Sequence, residues 1–370
     1  MSRIGRLVLA LGAAAWAATS QAGAQQPTPF SRLVDRLSEG PGFFQSDNLV
    51  SNETSYLYPL AFFETLGLKG GAYIGVGPEQ SFSYLAELNP DIAILIDIRR
   101  DNLLLHLLFK AMFGAARNRL EYLALLYGRK SPPEPEMWTD LSLEVIVDYL
   151  DQHLHDPALH TEQHARLMKV VESYGIPLSE EDRATLRRFH DEFAESGLDI
   201  RYSVRNRPSF LNFPTNRQLY LATDLDGTPR SYLATEDRWR AVRRLHREDR
   251  IVPVVGDLAG PRAVKSIGAY LKETKQTVSV YYLSNVEQYL FRSGAFPAFV
   301  DNVRSLPTKP NSIVIRSRFG RGYPMGGGVP PQFGSQQVQT VARFLELAAV
   351  PDSVDYWTFL TDTAKVRVRP

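Results

Sequence analysis

The chain has no cysteine among its 370 residues, which excludes disulfides, thiolate metal sites, a cysteine nucleophile and a lipid-bearing N-terminal cysteine. It also lacks charge of one sign: 42 basic and 41 acidic residues leave a formal +1, so nothing in the overall balance points to nucleic acid or an acidic membrane as partner. No apolar run reaches the length of a membrane span, no segment repeats, and no Gly-x-Ser-x-Gly elbow marks a serine hydrolase. What remains is of ordinary globular character, with 44% apolar and 22% charged residues, enough for one large domain or two modest ones.

The first residues read as an export leader. Arg3 and Arg6 precede an apolar stretch from Leu7 to Ala18, and Ala22-Gly23-Ala24 offers small residues for cleavage, so residues 1–24 are expected to be a signal peptide and the mature chain to begin near Gln25. The expected destination is a periplasm or the cell exterior, where the absence of cysteine avoids mispairing. After cleavage no membrane span is expected.

Past a short tether the periodicity changes twice. Phe30 to Leu37 and Glu53 to Leu66 carry helical spacing, and residues 25–70 are read as tether and helices. Between 71 and 114 the pattern is strand (Ala72 to Val76), helix (Gln80 to Leu88), strand (Ile92 to Ile96) and helix (Asn102 to Phe113, capped by Asp101). Residues 115–200 read as an all-helical insertion, in which Ser179 with Asp182 makes a shortened capping box. Alternation returns over 201–370: strand at Arg217 to Ala222, helix at Glu236 to Arg247, strand at Ile251 to Val255, helix at Pro261 to Thr274, then strands at Val278 to Leu283 and Ser312 to Ile315. A Gly/Pro-rich loop from Gly320 to Gly334 precedes a helix at Gln336 to Leu347, with a C-terminal edge strand as an option. The expected architecture is α/β: a doubly wound, mostly parallel Rossmann-like sheet interrupted by the helical insertion.

Three sequence features converge on the carboxyl ends of those strands, where such sheets bind ligands. Gly75-Val76-Gly77-Pro78-Glu79-Gln80 lies between a strand and a helix, where glycines admit a ligand to the backbone and a helix N-terminus offers free N–H groups. Asp97, twenty positions after Gly77, ends the next strand and can accept the two hydroxyls of a ribose. Gly256-Asp257 and Ser284-Asn285-Val286-Glu287 close two further strands. Gly75, Gly77, Glu79, Asp97 and Asp257 are therefore candidate ligand-binding residues, and Asn285 and Glu287 candidate catalytic ones. The alternative for Asp257 and Ser284 is a cap on the following helix.

Taken together, Ala72 to Asp97, Gly256-Asp257 and Tyr281-Tyr282-Leu283-Ser284-Asn285 resemble the strand motifs of class I S-adenosylmethionine-dependent methyltransferases. Asp47 to Glu53, Val76 to Gln80 and Asp97 to His106 resemble, more narrowly, an uncharacterised bacterial family assigned that fold. The resemblance implies S-adenosylmethionine as a possible cofactor, with Gly75 and Gly77 toward its methionine part, Asp97 at the ribose and Asp257 at the adenine. The chain departs from the motifs at Tyr73, where an acidic residue is usual, at Gln80, where a third glycine is, and at Ser284 to Glu287, which lacks an Asn/Asp-Pro-Pro-aromatic run. Export also separates the chain from a cofactor made in the cytoplasm. Two readings follow: a nucleoside-type small-molecule binding protein or inactive relative, and an active methyltransferase of unknown substrate.

Three other features have weaker chemical readings. His153, His155, His160 and His164 are expected to be solvated helix residues rather than metal ligands, and no metal is predicted. Asp224 to Thr228 reads as a plain turn. Arg316, Arg318 and Arg321 beside Gly326-Gly327-Gly328 read either as a solvated loop or as an anion-binding lid, and Arg99 and Arg100 are equally ambiguous.

Overall fold

The computed structural model describes residues 26–204, 213–319, 334–350 and 355–362. The expected leader with its expected cleavage site, Arg321, the triple glycine and the optional C-terminal edge strand lie outside the described residues.

The continuously apolar runs become the strands. β1 (Ala72–Gly75) and β3 (Ile251–Val255) are buried at every position, and β2 (Ile92–Asp97) and β4 (Val278–Ser284) at every position but the last. Such runs suit strands covered on both faces. With β5 (Thr308–Phe319) and β6 (Gly334–Thr340) they form one six-stranded sheet, ordered β3-β2-β1-β4-β5-β6. The first four pairings are parallel and β5 with β6 is antiparallel, so the sheet is mixed. Its register sets Gly75 beside Leu95 and Tyr282, and Asp97 beside Val255, so the carboxyl ends of four strands share one edge.

Helices cover the sheet in two packing groups. Before β1 come α1 (Pro29–Leu37) and α2 (Leu60–Thr65); after it come α3 (Ser81–Leu88) and, past β2, α4 (Arg100–Ala115). The described elements from Arg119 to Asp199 are all helical: α5 (Arg119–Leu126), α6 (Leu143–Gln152), α7 (Pro157–Ser173) and α8 (Glu180–Ser196), with two short 3-10 turns. Then follow α9 (Asn216–Tyr220), α10 (Glu236–Arg247), α11 (Ala263–Glu273), α12 (Val286–Ser293), α13 (Phe296–Ser305), α14 (Val341–Ala348) and α15 (Tyr356–Thr361). In one group α10 packs on α3 and α4, and α4 lies on β2 and β3 while also carrying α7 and α8. In the other, α1 lies on β3 and α11, α11 on α13, and α14 on β5.

Several boundaries differ from expectation for local reasons. Arg217 to Ala222 is not a strand: Arg217 to Tyr220 belong to α9, because Thr215 and Gln218 make a reciprocal capping box that starts that helix. Gln336 to Leu347 is two elements: Gln336 to Gln339 pair with β5, and Thr340 then accepts from the Arg343 N–H to open α14. Asp101 sits in the first turn of α4 and does not cap it; the residue before the helix is Arg99, whose N–H donates to Asp97. The short box of α8 forms in full, since Asp182 reaches the Ser179 N–H at 2.8 Å while Ser179 accepts from the Asp182 N–H. Asp224 accepts from the N–H groups of Asp226 and Thr228, the turn expected of it.

The histidines of the insertion are the largest correction. His160 and His164 are 2% and 7% exposed, because α7 packs against α8 and meets His190 and Asp191 there. His164 and His190 share a hydrogen bond through their Nδ1 atoms, and His160 Nε2 lies 2.8 Å from Asp191. Burial pushes His164 down to about 4 and His190 to about 3, so both are neutral near pH 7. Among the described residues no group of three or more potential ligands has a metal-binding arrangement.

Candidate functional site

A cavity of about 570 Å3 opens at the carboxyl edge of the sheet, a volume suited to a small molecule. The residues after β1, β2, β3 and β4 all contribute to it, together with residues 48 to 53 of the segment before α2. Aromatic side chains crowd its mouth: Phe43, 78% exposed, and Phe44, set edge-on to Tyr289, lie with Tyr202 along the rim.

Gly77 faces this cavity with φ of +89°, a conformation that strains any residue with a Cβ. Its carbonyl accepts from Asn102 Nδ2 at 3.2 Å and lies 3.0 Å from His106 Nε2, so α4 holds the turn in place. Asn48 and Ser284 also line the cavity in the left-handed region, at φ of +52° each. Three such residues around one cavity mark backbone strain that the surrounding structure sustains.

Of the residues singled out in the sequence, Gly77, Asp97, Asp257 and Asn285 line the cavity and Gly75, Glu79 and Glu287 do not. Asp97 is gripped by Arg99, which donates through Nε and Nη2 at 3.0 and 2.9 Å and also to the carbonyls of Ser46 and Asp47. Asp257 accepts from the Ala259 N–H at 2.9 Å. Asn285 stands at the start of α12 without capping it.

Each excluded residue is held elsewhere by packing. A Cβ at Gly75 would fall 2.5 Å from the Tyr73 ring, so that glycine serves close packing inside the sheet. Glu79 turns toward α9 and the segment after it, accepting from Tyr232 at 2.6 Å, Tyr220 at 2.7 Å and Asn216 at 3.2 Å. Burial pushes its carboxyl up to about 7 against the pull of those three donors. Glu287 is 1% exposed and paired with Arg316, which also donates to Gln339. Arg316 is thereby a buried residue of the sheet edge and not part of an anion-binding lid. Arg318 lies over Trp357, and Arg100 is paired with Asp182.

The cavity floor holds a residue that strand-end reasoning passed over. Glu53, 1% exposed, lines the cavity and accepts from Ser284 Oγ at 2.5 Å, Tyr282 at 2.6 Å, Gln336 at 2.7 Å and Gln80 at 3.1 Å. These donors come from β4, β6 and the residue before α3, far apart in the sequence. Gln80, in the sequence only a missing glycine, is thus a wall of the site.

The chain belongs to the family described as a domain of unknown function (DUF7790), whose model matches residues 49–134 and 144–368. That match takes in Glu53 and the four strand ends around the cavity. No curated protein matches the chain. No helix among the described residues is long and apolar enough to cross a membrane.

Proposed function

We propose that the chain is an exported protein of methyltransferase-like, Rossmann-like fold that binds a nucleoside-type small molecule in this cavity. The observation that carries the reading is position. The strand order reverses between β1 and β4, and the cavity lies where the residues after those two strands, Val76-Gly77 and Ser284-Asn285, face each other. Open α/β sheets bind ligands at such a switch point. Asp97 and Asp257 then stand on neighbouring strand ends to receive hydroxyl or N–H groups, and the rim tyrosines and phenylalanines offer stacking faces.

A binding protein or inactive relative is favoured over an active S-adenosylmethionine-dependent methyltransferase because Glu287, one of two candidate catalytic residues, is buried against Arg316. Tyr73 likewise donates to Ser81 inside the core and supplies no acid to the site. Asn285 alone of that pair reaches the cavity, and the active reading rests on it.

Titration calorimetry of the mature protein with adenosine, S-adenosylmethionine and S-adenosylhomocysteine tests the proposal. Micromolar binding is expected, weakened at least about tenfold by Asp257→Ala, the loss of one charged hydrogen-bonding partner. Absence of heat with all three at millimolar concentration rejects it, and transfer of a methyl group to an added acceptor would promote the active reading. Export is checked by N-terminal sequencing of protein recovered outside the cytoplasm, where a start at Gln25 is expected.

A further inference from the structure

In the polar floor of the cavity, the Glu53 carboxyl has no cation beside it among the described residues. Two other acids at this edge have a cation beside them: the buried Glu287 has Arg316 and the partly buried Asp97 has Arg99, whereas Glu79 has neutral donors only. The four partners of Glu53 are two hydroxyls and two amides. Both carboxyl oxygens are thus engaged by neutral groups alone. Burying an anion with neutral donors alone leaves it without a counter-charge, a costly arrangement unless something else supplies one.

A second observation is independent of Glu53. Gln80, only 6% exposed and lining the cavity, spends its amide N–H on Glu53 and Tyr282, while its Oε1 has no hydrogen-bond partner. A buried amide oxygen without a donor is an acceptor waiting for a ligand. Ser284 is held at a left-handed φ of +52°, which turns its Oγ onto Glu53 and closes the floor from the β4 side. The floor therefore combines a carboxyl that has no cation among the described residues with an amide oxygen that has no donor.

We propose that the pocket formed by Glu53, Gln80 and Ser284 is a subsite for a cationic nitrogen of the ligand, a primary ammonium or amidinium group. Such a group carries only donors and a positive charge, which is what the carboxylate and the free Gln80 oxygen lack. A phosphate or carboxylate at the same place would meet Glu53 with like charge. The inference rests on the reading of the cavity as a small-molecule site and names the chemistry of one end of its ligand.

The test pairs adenosine with 5′-amino-5′-deoxyadenosine in calorimetry. The amino compound is expected to bind at least about tenfold more tightly, the scale of one charge-assisted hydrogen bond. Glu53→Gln should erase that preference. The proposal is overturned if the preference is absent or survives in Glu53→Gln. Should that variant fail to fold, Gln80→Met keeps the charge and removes the free acceptor, and an undiminished preference there overturns it equally. If neither nucleoside binds, the nucleoside reading fails, and agmatine alone decides the subsite: a raised melting temperature in the wild type that is lost in Glu53→Gln supports it, and no such difference sinks it.

Discussion

Glu53 and Glu79 are both buried, both reached by several neutral donors, and lie on opposite sides of the same strand-to-helix turn. Glu79 looks inward, into a cage of Tyr220, Tyr232 and Asn216 that joins the turn to the helices beyond it. Glu53 looks onto a cavity. In the first place the donors also bond Tyr122, Tyr127 and one another, and the carboxyl binds the architecture together. In the second, water or a ligand can reach the same floor, so the group is available for recognition. Burial alone does not distinguish structure from function; what lies on the far side of the side chain does.

The comparison breaks most sharply on stability. Glu79→Ala removes the acceptor shared by three donors in a dry interior and opens a hole in the tyrosine cage, and chemical unfolding should show a loss of about 3 kcal/mol or more. Glu53→Ala should cost about 1 to 2 kcal/mol, because cavity water can satisfy its former donors. Equal losses would mean that the two carboxyls have the same role.

A pH series sharpens the contrast between the turn and the insertion. Glu79 is raised to about 7 in the fold from an ordinary 4.5, so the native state holds the proton longer than the unfolded chain. Its contribution is fully present below pH 4.5 and falls as pH rises toward 7, by about 1.4 kcal/mol per unit. His164 and His190 act in the opposite sense. Their folded values of about 4 and 3 lie below an ordinary 6.5, so the fold keeps its full stability above pH 6.5 and loses it as pH falls. The two rings are hydrogen-bonded and titrate as a pair. Urea unfolding between pH 4.5 and 7.5 should thus show opposing slopes, and Glu79→Gln should leave a curve that only rises up to about pH 6.5. A wild-type profile that Glu79→Gln leaves unchanged would remove the cage from the account.

Backbone strain at the cavity gives the smallest effects. Gly77→Ala at φ of +89° should cost about 1 kcal/mol, and should weaken any ligand that approaches the turn. Asn48→Gly, at a position where asparagine already tolerates φ of +52°, should shift stability by less than about 0.5 kcal/mol. Melting of the two variants side by side separates a turn that requires glycine from one that accepts a substitute.

The strand ends were legible because their signals are local: an apolar run, a glycine after it, an acid at or just past the strand's end. Gly77, Asp97, Asp257 and Asn285 could be named from them, and all four line the cavity. The neighbours Gly75, Glu79 and Glu287 carried the same local signals and point elsewhere. Beyond the strand ends the chain turns into helices and the period of two no longer holds, so sequence spacing does not say which way is the cavity. Glu53 had no strand-end signal, and Gln80 registered only as a departure from a glycine pattern. The histidines read as surface residues because their partners, His190 and Asp191, come from the next helix.

By itself the sequence determined the strand-helix alternation, the helical interruption, the absence of thiol chemistry and the edge of the sheet where polar residues gather, since each follows from periodicity, composition or a cap within a few residues. Only the tertiary structure decided that β6 runs antiparallel, that Glu287 meets Arg316, that four histidines come close enough to include a dry pair, and that donors from β4, β6 and the turn before α3 converge on Glu53. These depend on contacts between residues up to 283 positions apart, as between Gln336 and Glu53, and no local pattern encodes which distant side chain will be across the cavity.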